Sequence, residues 1–246
     1  MTNQLYDAIF HRKSVRKYQM NPLTGQSLAE VEGYALKAAP LMGEIKYKIV
    51  ILNAAEMGMV SVKAPHYLCF YSEKKEGYLL NAGFILQQVD LTLSVNGYGS
   101  CWIGLGKPSG SLPAVAGMEY VIMLGFGRPA EPLYRTDVGE FRRNSLTEIS
   151  EITGADDLLE PVRLAPSASN TQSWLLTGSS REILLYRKKF NPIKGALYGK
   201  FNRIDMGIAL CHLWLSLQHQ DKQAVFDFKP QAEPKGTEFI AKVSVN

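Results

Sequence analysis

The sequence predicts an α+β chain made of two related halves that imitate a dimer fused into one polypeptide. Three observations lead there. Helical and strand patterns follow one another in the same order in each half, two short stretches recur at corresponding points of that order, and each half contains one long helix that is apolar on nearly every side. With 246 residues, 46% of them apolar, there is material for one large core or two small ones.

In the first half, residues 5–10 and 28–39 place apolar side chains at helical spacing, the latter with Ser27 and Glu30 near a capped start. Stretches 47–52 and 67–71 are β-branched, aromatic or apolar and are bounded by turn formers, as strands are. A long helix follows between Gly77 and Gly97. Asn81, Gln87, Gln88 and Asp90 interrupt it too often for an unassisted membrane span, so it reads as a buried helix. A glycine-rich turn, Gly97 to Gly106, leads to a strand at 120–125 that is closed by glycine. Residues 128–144, with prolines, charges and no sustained period, read as a connecting arm.

The second half repeats the outline: a helix at 156–165, strands at 174–178 and 183–186, a long helix carrying Leu210, Leu213, Trp214, Leu215 and Leu217, and closing strands. Ala38-Ala39-Pro40 ends one helix as Leu164-Ala165-Pro166 ends its counterpart, each proline stopping the helix for want of an N–H. Asn81-Ala82-Gly83-Phe84-Ile85-Leu86 opens one long helix as Asp205-Met206-Gly207-Ile208-Ala209-Leu210 opens the other. The expected units are therefore residues 1–144 and 145–246. Helices apolar all round need cover on more than one face, and packing one against the other would make the chain a monomeric pseudo-dimer.

Twenty-seven Lys and Arg against twenty-three Asp and Glu leave a charge of +4, a weak argument for nucleic acid or an anionic membrane. The basic clusters, Arg12-Lys13-Ser14-Val15-Arg16-Lys17 and Arg142-Arg143, suit one small anion such as a phosphate better than a polymer. Cys69, Cys101 and Cys211 show no CxxC spacing and read as free thiols, which points to the cytoplasm, and no signal peptide is evident. His11, His66, His212 and His219 have no metal-ligand spacing, so no metal is expected. Gly104-Leu105-Gly106-Lys107-Pro108-Ser109 fails as a nucleotide loop because Pro108 breaks the P-loop pattern, and a GxSxG nucleophile elbow is absent. Cys101 reads as a small buried apolar residue before it reads as a reactive thiol.

Two stretches carry candidate chemistry. In an extended Arg12–Arg16 segment, Arg12, Ser14 and Arg16 project to one side, two guanidinium forks and a hydroxyl suited to a phosphate or a ribityl chain. The same residues would serve as a solvated basic linker. Pro166-Ser167-Ala168-Ser169-Asn170-Thr171-Gln172 offers short donors and acceptors between a helix end and a strand, and ordinary turn chemistry is its plain alternative.

Arg12-Lys13-Ser14-Val15-Arg16, Pro166-Ser167-Ala168-Ser169-Asn170-Thr171-Gln172-Ser173-Trp174 and Gly97-Tyr98-Gly99-Ser100-Cys101-Trp102-Ile103-Gly104 resemble the RxSxR, PSxxNxQxW and GxGxxWxG motifs of the nitroreductase family, and the resemblance spans most of the chain. It implies a nitroreductase-like fold and one non-covalent FMN in a cleft between the halves. Arg12, Lys13, Ser14 and Arg16 would meet the phosphate and polar groups, with Arg142 or Arg143 reaching the phosphate. Pro166, Ser167, Ser169 and Asn170 would line the isoalloxazine, and backbone at Ile103 and Gly104 would approach its N5 edge. No catalytic acid or base is implied, because the flavin carries the chemistry. The implied activity takes hydride from NAD(P)H and passes electrons to a nitroaromatic or a quinone; a flavin carrier or sensor without turnover is the alternative. One departure separates this chain from ordinary members. Ala39-Pro40-Leu41-Met42-Gly43 stands where a PSxxN loop belongs in the first half, and the second half lacks RxSxR. That division resembles the tandem, single-chain, Thermotoga-type branch of the family. If the halves depend on each other's apolar cover, a fragment of residues 1–144 expresses as insoluble protein; a soluble monomer with a cooperative thermal transition refutes that dependence.

Overall fold

The computed structural model describes residues 2–110 and 115–246, without the side chains of 192–194, 196 and 197. Its elements are α+β. The chain divides into two compact units, one continuous, His11–Val138, and one assembled from Met1–Phe10 with Gly139–Asn246. This differs from the expected 1–144 and 145–246, and local contacts supply the reason. Helix α1 (Thr2–Ile9) stacks Tyr6 on His219 with ring centroids 3.8 Å apart, while Asn3 Oδ1 lies 3.1 Å from His219 Nδ1. Residues 128–135 instead run back along 11–19: Gln19 N–H donates to Arg128 O, Ala130 N–H to Lys17 O and Arg135 N–H to His11 O.

In the continuous unit, α2 (Gly25–Lys37) is capped by Thr24, whose hydroxyl accepts the Ser27 N–H at 3.2 Å. Ser27 is already the third helical residue, so the start lies upstream of the one expected. Strands β1 (Tyr47–Asn53), β2 (Met57–Val60) and β3 (His66–Ser72) precede the long helix α3 (Tyr78–Val95). After it come β4 (Gly99–Ile103), β5 (Gly106–Pro108) and β6 (Glu119–Gly127). The main sheet is antiparallel in the order β1-β3-β6-β4, and β2 and β5 form a separate ribbon.

The stretch expected as a glycine-rich turn contains β4. Gly97, at φ 80°, ends α3: its N–H donates to Ser94 O and the next, from Tyr98, to Leu93 O, closing the last turn with a left-handed residue. The chain is then released into a strand paired with β6, Gly99 facing Gly127 and Ile103 facing Met123. Gly99 admits a close approach, because a Cβ there would lie 2.7 Å from Val15 Cγ1. Val15 is fully buried in a core cluster with Tyr18, Leu52, Ala64, Tyr67, Cys69, Ile103 and Met123.

The second unit contains α1, α4 (Leu146–Ile149), α5 (Asp156–Arg163), β7 (Trp174–Gly178), β8 (Glu182–Lys188), α6 (Pro192–His219), β9 (Ala224–Asp227) and β10 (Thr237–Val245). Its antiparallel sheet has the order β7-β8-β10-β9. In each main sheet the first strand pairs with the second, the second with the fourth and the fourth with the third, and the long helix precedes the third. Among the described residues no helix is long and apolar enough to cross a membrane. Gly99→Ala should cost about 1–3 kcal/mol, as overpacking does, read as a lower urea midpoint at unchanged m-value.

Candidate functional site

In the continuous unit the Arg12–Arg16 segment lies beside β4, with Val15 N–H donating to Ser100 O at 2.9 Å and a parallel bridge between Ser14 and Ser100. The Tyr18 hydroxyl, 2.6 Å from Val15 O and 3.1 Å from Gly125 O, ties the segment's far end to β6. Burial raises the Tyr18 phenol's pKa well above its usual value, so it stays a neutral donor. On the other side, Arg135 donates a guanidinium N–H to Arg12 O.

The three polar side chains of the motif differ in exposure. Arg12 is buried; its Nε lies 2.8 Å from Asp90 Oδ2 on α3, and Asp90 Oδ1 accepts the Ser100 hydroxyl at 2.5 Å. Arg12 Nη2 donates to Ser14 Oγ at 3.1 Å. Arg16 is exposed, its Nη1 3.5 Å from Ser14 O and its backbone N–H donating to Glu131 Oε1 at 2.6 Å. That bond, with a second from Lys17 N–H, holds the Glu131 carboxyl below its ordinary pKa. Lys13 is half-buried beside them. Arg12, Ser14 and Arg16 are therefore brought together, but Arg12 already has a counter-ion, whereas Arg16 forms no ion pair among the described residues. Ile103 is buried in the core at the end of β4, and Gly104 after it is exposed.

In the second unit the Pro166–Gln172 loop follows α5. Ser169, Asn170 and Gln172 have φ of 50°, 56° and 46°, left-handed backbone that costs non-glycine residues free energy and needs surrounding bonds to persist. Those bonds are present. Ser167 Oγ accepts Gln172 N–H at 3.0 Å, and Gln172 Oε1 accepts Asn144 N–H at 2.7 Å. Asn170 Oδ1 accepts from Arg143 Nη1 at 2.6 Å, while Asn170 Nδ2 donates to Arg142 O at 2.7 Å. Arg143 also reaches Leu164 O, so its guanidinium is engaged, whereas the Arg142 side chain is exposed. Pro166 is buried, and exposed Ser169 lies 3.3 Å from the Tyr198 hydroxyl.

Beneath the loop, on α6, the buried Asp205 carboxyl takes the Ala168 N–H at 3.0 and 3.1 Å and an Asn202 Nδ2–H at 3.1 Å; Asn202 Nδ2 also donates to Thr171 Oγ1 at 3.0 Å. Burial raises this carboxyl from 3.8 to about 7 against the lowering effect of those bonds. The first unit has a counterpart. Asn81 Oδ1 on α3 accepts Leu41 N–H at 2.8 Å and Met42 N–H at 3.1 Å.

Asp90, Ser100, Glu131, Asn202 and Asp205 were not among the residues expected in the site. Ser100 lies within the glycine-rich motif and the other four lie in none; the groups that tie those four to the motif stretches, Arg12 for Asp90, the Arg16 and Lys17 amides for Glu131, and Thr171 and Ala168 for Asn202 and Asp205, are far away in sequence. The one available signal was the expected repeat, which matches Asn81 with Asp205; Asn81 does lie in the first turn of α3, but α6 begins at Pro192, so Asp205 stands midway along its helix and does not open it as expected. The three cysteines are buried and none forms a disulfide, and burial pushes the Cys69 thiol up to about 12 and raises Cys101 as well. Among the described residues no three His, Cys, Asp or Glu side chains gather as a metal site.

Comparison with protein families matches residues 4–217 to the family described as "Putative TM nitroreductase". No curated protein matches. Among solved structures, a "putative nitroreductase" from Thermotoga maritima MSB8 is similar at a TM-score of 0.65 and 21% identity, covering 98% of this chain and 93% of that one. A nitroreductase family protein from Clostridium difficile 630 has a TM-score of 0.46 and 17% identity over 58% of this chain and 94% of that one. A nitroreductase with bound FMN from Desulfitobacterium hafniense DCB-2 has a TM-score of 0.44 and 14% identity over 59% of this chain and 100% of that one. Removing the counter-ion of a buried arginine strands its charge, so Asp90→Ala should destabilise the fold by about 3–5 kcal/mol, measured by equilibrium denaturation.

Proposed function

Because this chain belongs to the family described as "Putative TM nitroreductase", we propose that it is an FMN-dependent oxidoreductase working as a cytoplasmic monomer. The observation that carries the reading is the donor set at Ser14. A hydroxyl sits against a buried, oriented guanidinium, with an exposed guanidinium and a lysine on the same short segment. Such a set suits a phosphate monoester and a polyol chain.

The charges divide the labour. Asp90 offsets Arg12, so Arg12 contributes direction more than net charge, and the phosphate's charge falls to Arg16 and Lys13. Arg142 is better suited than Arg143 to add to them, since Arg143 is committed to Asn170 and Leu164. Pro166, Ser167, Ser169 and Asn170 would line the ring system, with backbone at Ile103 and Gly104 at its N5 edge. Bound FMN would supply transfer of a hydride equivalent from NAD(P)H to an electron-poor acceptor such as a nitroaromatic or a quinone. The protein's share is to bind, orient and exclude water, and the reading assigns no side chain as acid or base.

The chain is read further as a tandem of two nitroreductase-like units. Both main sheets share one connectivity, and corresponding helix residues, Asn81 and Asp205, hold the amides of Met42 and Ala168 in corresponding loops. Only one unit carries RxSxR and only the other carries PSxxN, which supports one flavin per chain.

Titration with FMN, followed by flavin fluorescence, should reach one equivalent per chain, and Arg16→Ala should weaken binding by about 1.5–3 kcal/mol. A protein that takes up no FMN refutes the reading. If FMN binds but neither NADH nor NADPH bleaches it anaerobically, the chain is a flavin carrier or sensor.

A further inference from the structure

The Ser167–Gln172 loop holds three left-handed non-glycine residues, and something beneath it must keep them there. Among the described residues, its bonds into α6 from backbone or threonine run to two buried residues one helical turn apart. Asp205 takes the Ala168 N–H with both oxygens, and Asn202 links Asp205 Oδ2 to Thr171 Oγ1. In the other unit the same post exists with a different chemistry: Asn81 takes the Met42 N–H and returns an Nδ2–H to Met42 O at 3.2 Å. The aligned positions thus perform one mechanical task, once with a neutral amide and once with an ionisable carboxyl. The carboxyl stands under the loop that carries the PSxxN residues.

We propose that Asp205 is the positioning residue of the flavin-binding loop, seating Ala168 and Thr171 so that Ser167, Ser169 and Asn170 face the ligand, and that its ionisation couples loop seating to pH. The part concerning the ligand rests on the flavin reading above; the part concerning the loop does not.

The sign follows from burial. The seated loop covers the carboxyl and holds its pKa near 7, while an opened loop returns it to water and to its ordinary value near 3.8. Closing therefore takes up a proton between those values, and seating weakens as pH rises through that window. Among the described residues, the groups facing the carboxyl are Ala168 N–H, the Asn202 amide and the Thr171 hydroxyl, and no charged side chain contributes to its shift. The buried Asn202 Oδ1 has no hydrogen-bond partner among them. Rotating its amide would turn that oxygen toward a protonated Asp205, or toward an asparagine placed there, so Asp205→Asn keeps the post without the titration.

The test is hydrogen exchange of segment 166–174 in the ligand-free protein, corrected for intrinsic exchange, alongside FMN affinity from pH 5.5 to 8.5. Asp205→Ala should cut protection of the segment and FMN affinity by roughly 10- to 100-fold, because the Ala168 N–H and the Asn202 amide are left buried without their acceptor. Asp205→Asn should restore both to the low-pH wild-type level, remove the pH dependence of protection, and leave FMN affinity with only the dependence that the ligand's phosphate brings. The phosphate of FMN titrates near pH 6 in every variant, so the readout is the difference between wild type and Asp205→Asn. Wild-type and Asp205→Asn curves that superimpose overturn the coupling. If Asp205→Ala does not fold, the positioning role is judged on Asp205→Leu and on Asp205→Glu, which should shift the exchange profile; unchanged protection in every folded variant overturns the role. If protection responds but FMN affinity does not, Asp205 positions the loop for structure alone and the proposal fails. If wild type takes up no FMN at all, the flavin reading fails while the exchange measurement still decides the seating of the loop.

Discussion

A polar side chain on a helix that is covered all round must find its partner inside the protein, because water cannot reach it and an unpaired buried donor or acceptor costs on the order of 1–3 kcal/mol. Both long helices pose this problem. On α3, Asn81 bonds Leu41 and Met42, Gln88 exchanges bonds with both backbone groups of Ala39, Gln87 accepts from the Trp102 indole, and Asp90 meets Arg12 and Ser100. On α6, Asp205 and Asn202 hold the Ser167–Gln172 loop, and His212 Nδ1 lies 2.7 Å from Pro161 O. The loops that could serve a ligand are therefore fastened from below, by the same residues that interrupt an otherwise apolar helix.

The Arg12–Asp90 pair shows what this fastening does to chemistry. Burying an ion pair contributes little net stability against an apolar substitute, but it fixes direction. Arg12 is pinned by Asp90 through Nε, leans on Ser14 through Nη2, and has its carbonyl bonded by Arg135. A lysine could not meet both Asp90 and Ser14 from one planar fork. The electrostatic result is a segment whose inner arginine is paired with a buried carboxylate and whose outer arginine is exposed.

Legibility in the sequence followed the range of the cause. The long helix between Gly77 and Gly97, the strand at 174–178 and the proline-terminated helices were readable because period and breakers act within a few residues. The motif stretches were readable as clusters of donors. Strand β4 was not, since its glycines read as a turn. Gly97 acts as a helix stop and Gly99 as a contact with Val15, and only the remote Val15 reveals the second use. Asp90 was visible as an interruption of α3, but nothing local pointed to Arg12 as its partner. Asp205 was visible only through its match with Asn81 in the expected repeat. The compact units differ from the expected 1–144 and 145–246 for the same reason, because α1 packs with residues that lie far along the chain.

That last feature bears on how the polypeptide is made. Tyr6 and Asn3 of α1 find their partner in His219, at the end of α6. During vectorial synthesis α1 therefore leaves the ribosome long before the surface it packs against exists, while the whole of His11–Val138 is translated in between. The unit built from both ends of the sequence is the last to close, and until it does α1 trails as an amphipathic segment with its Leu5, Ala8 and Ile9 uncovered. The burial of α1 therefore waits on the synthesis of α6.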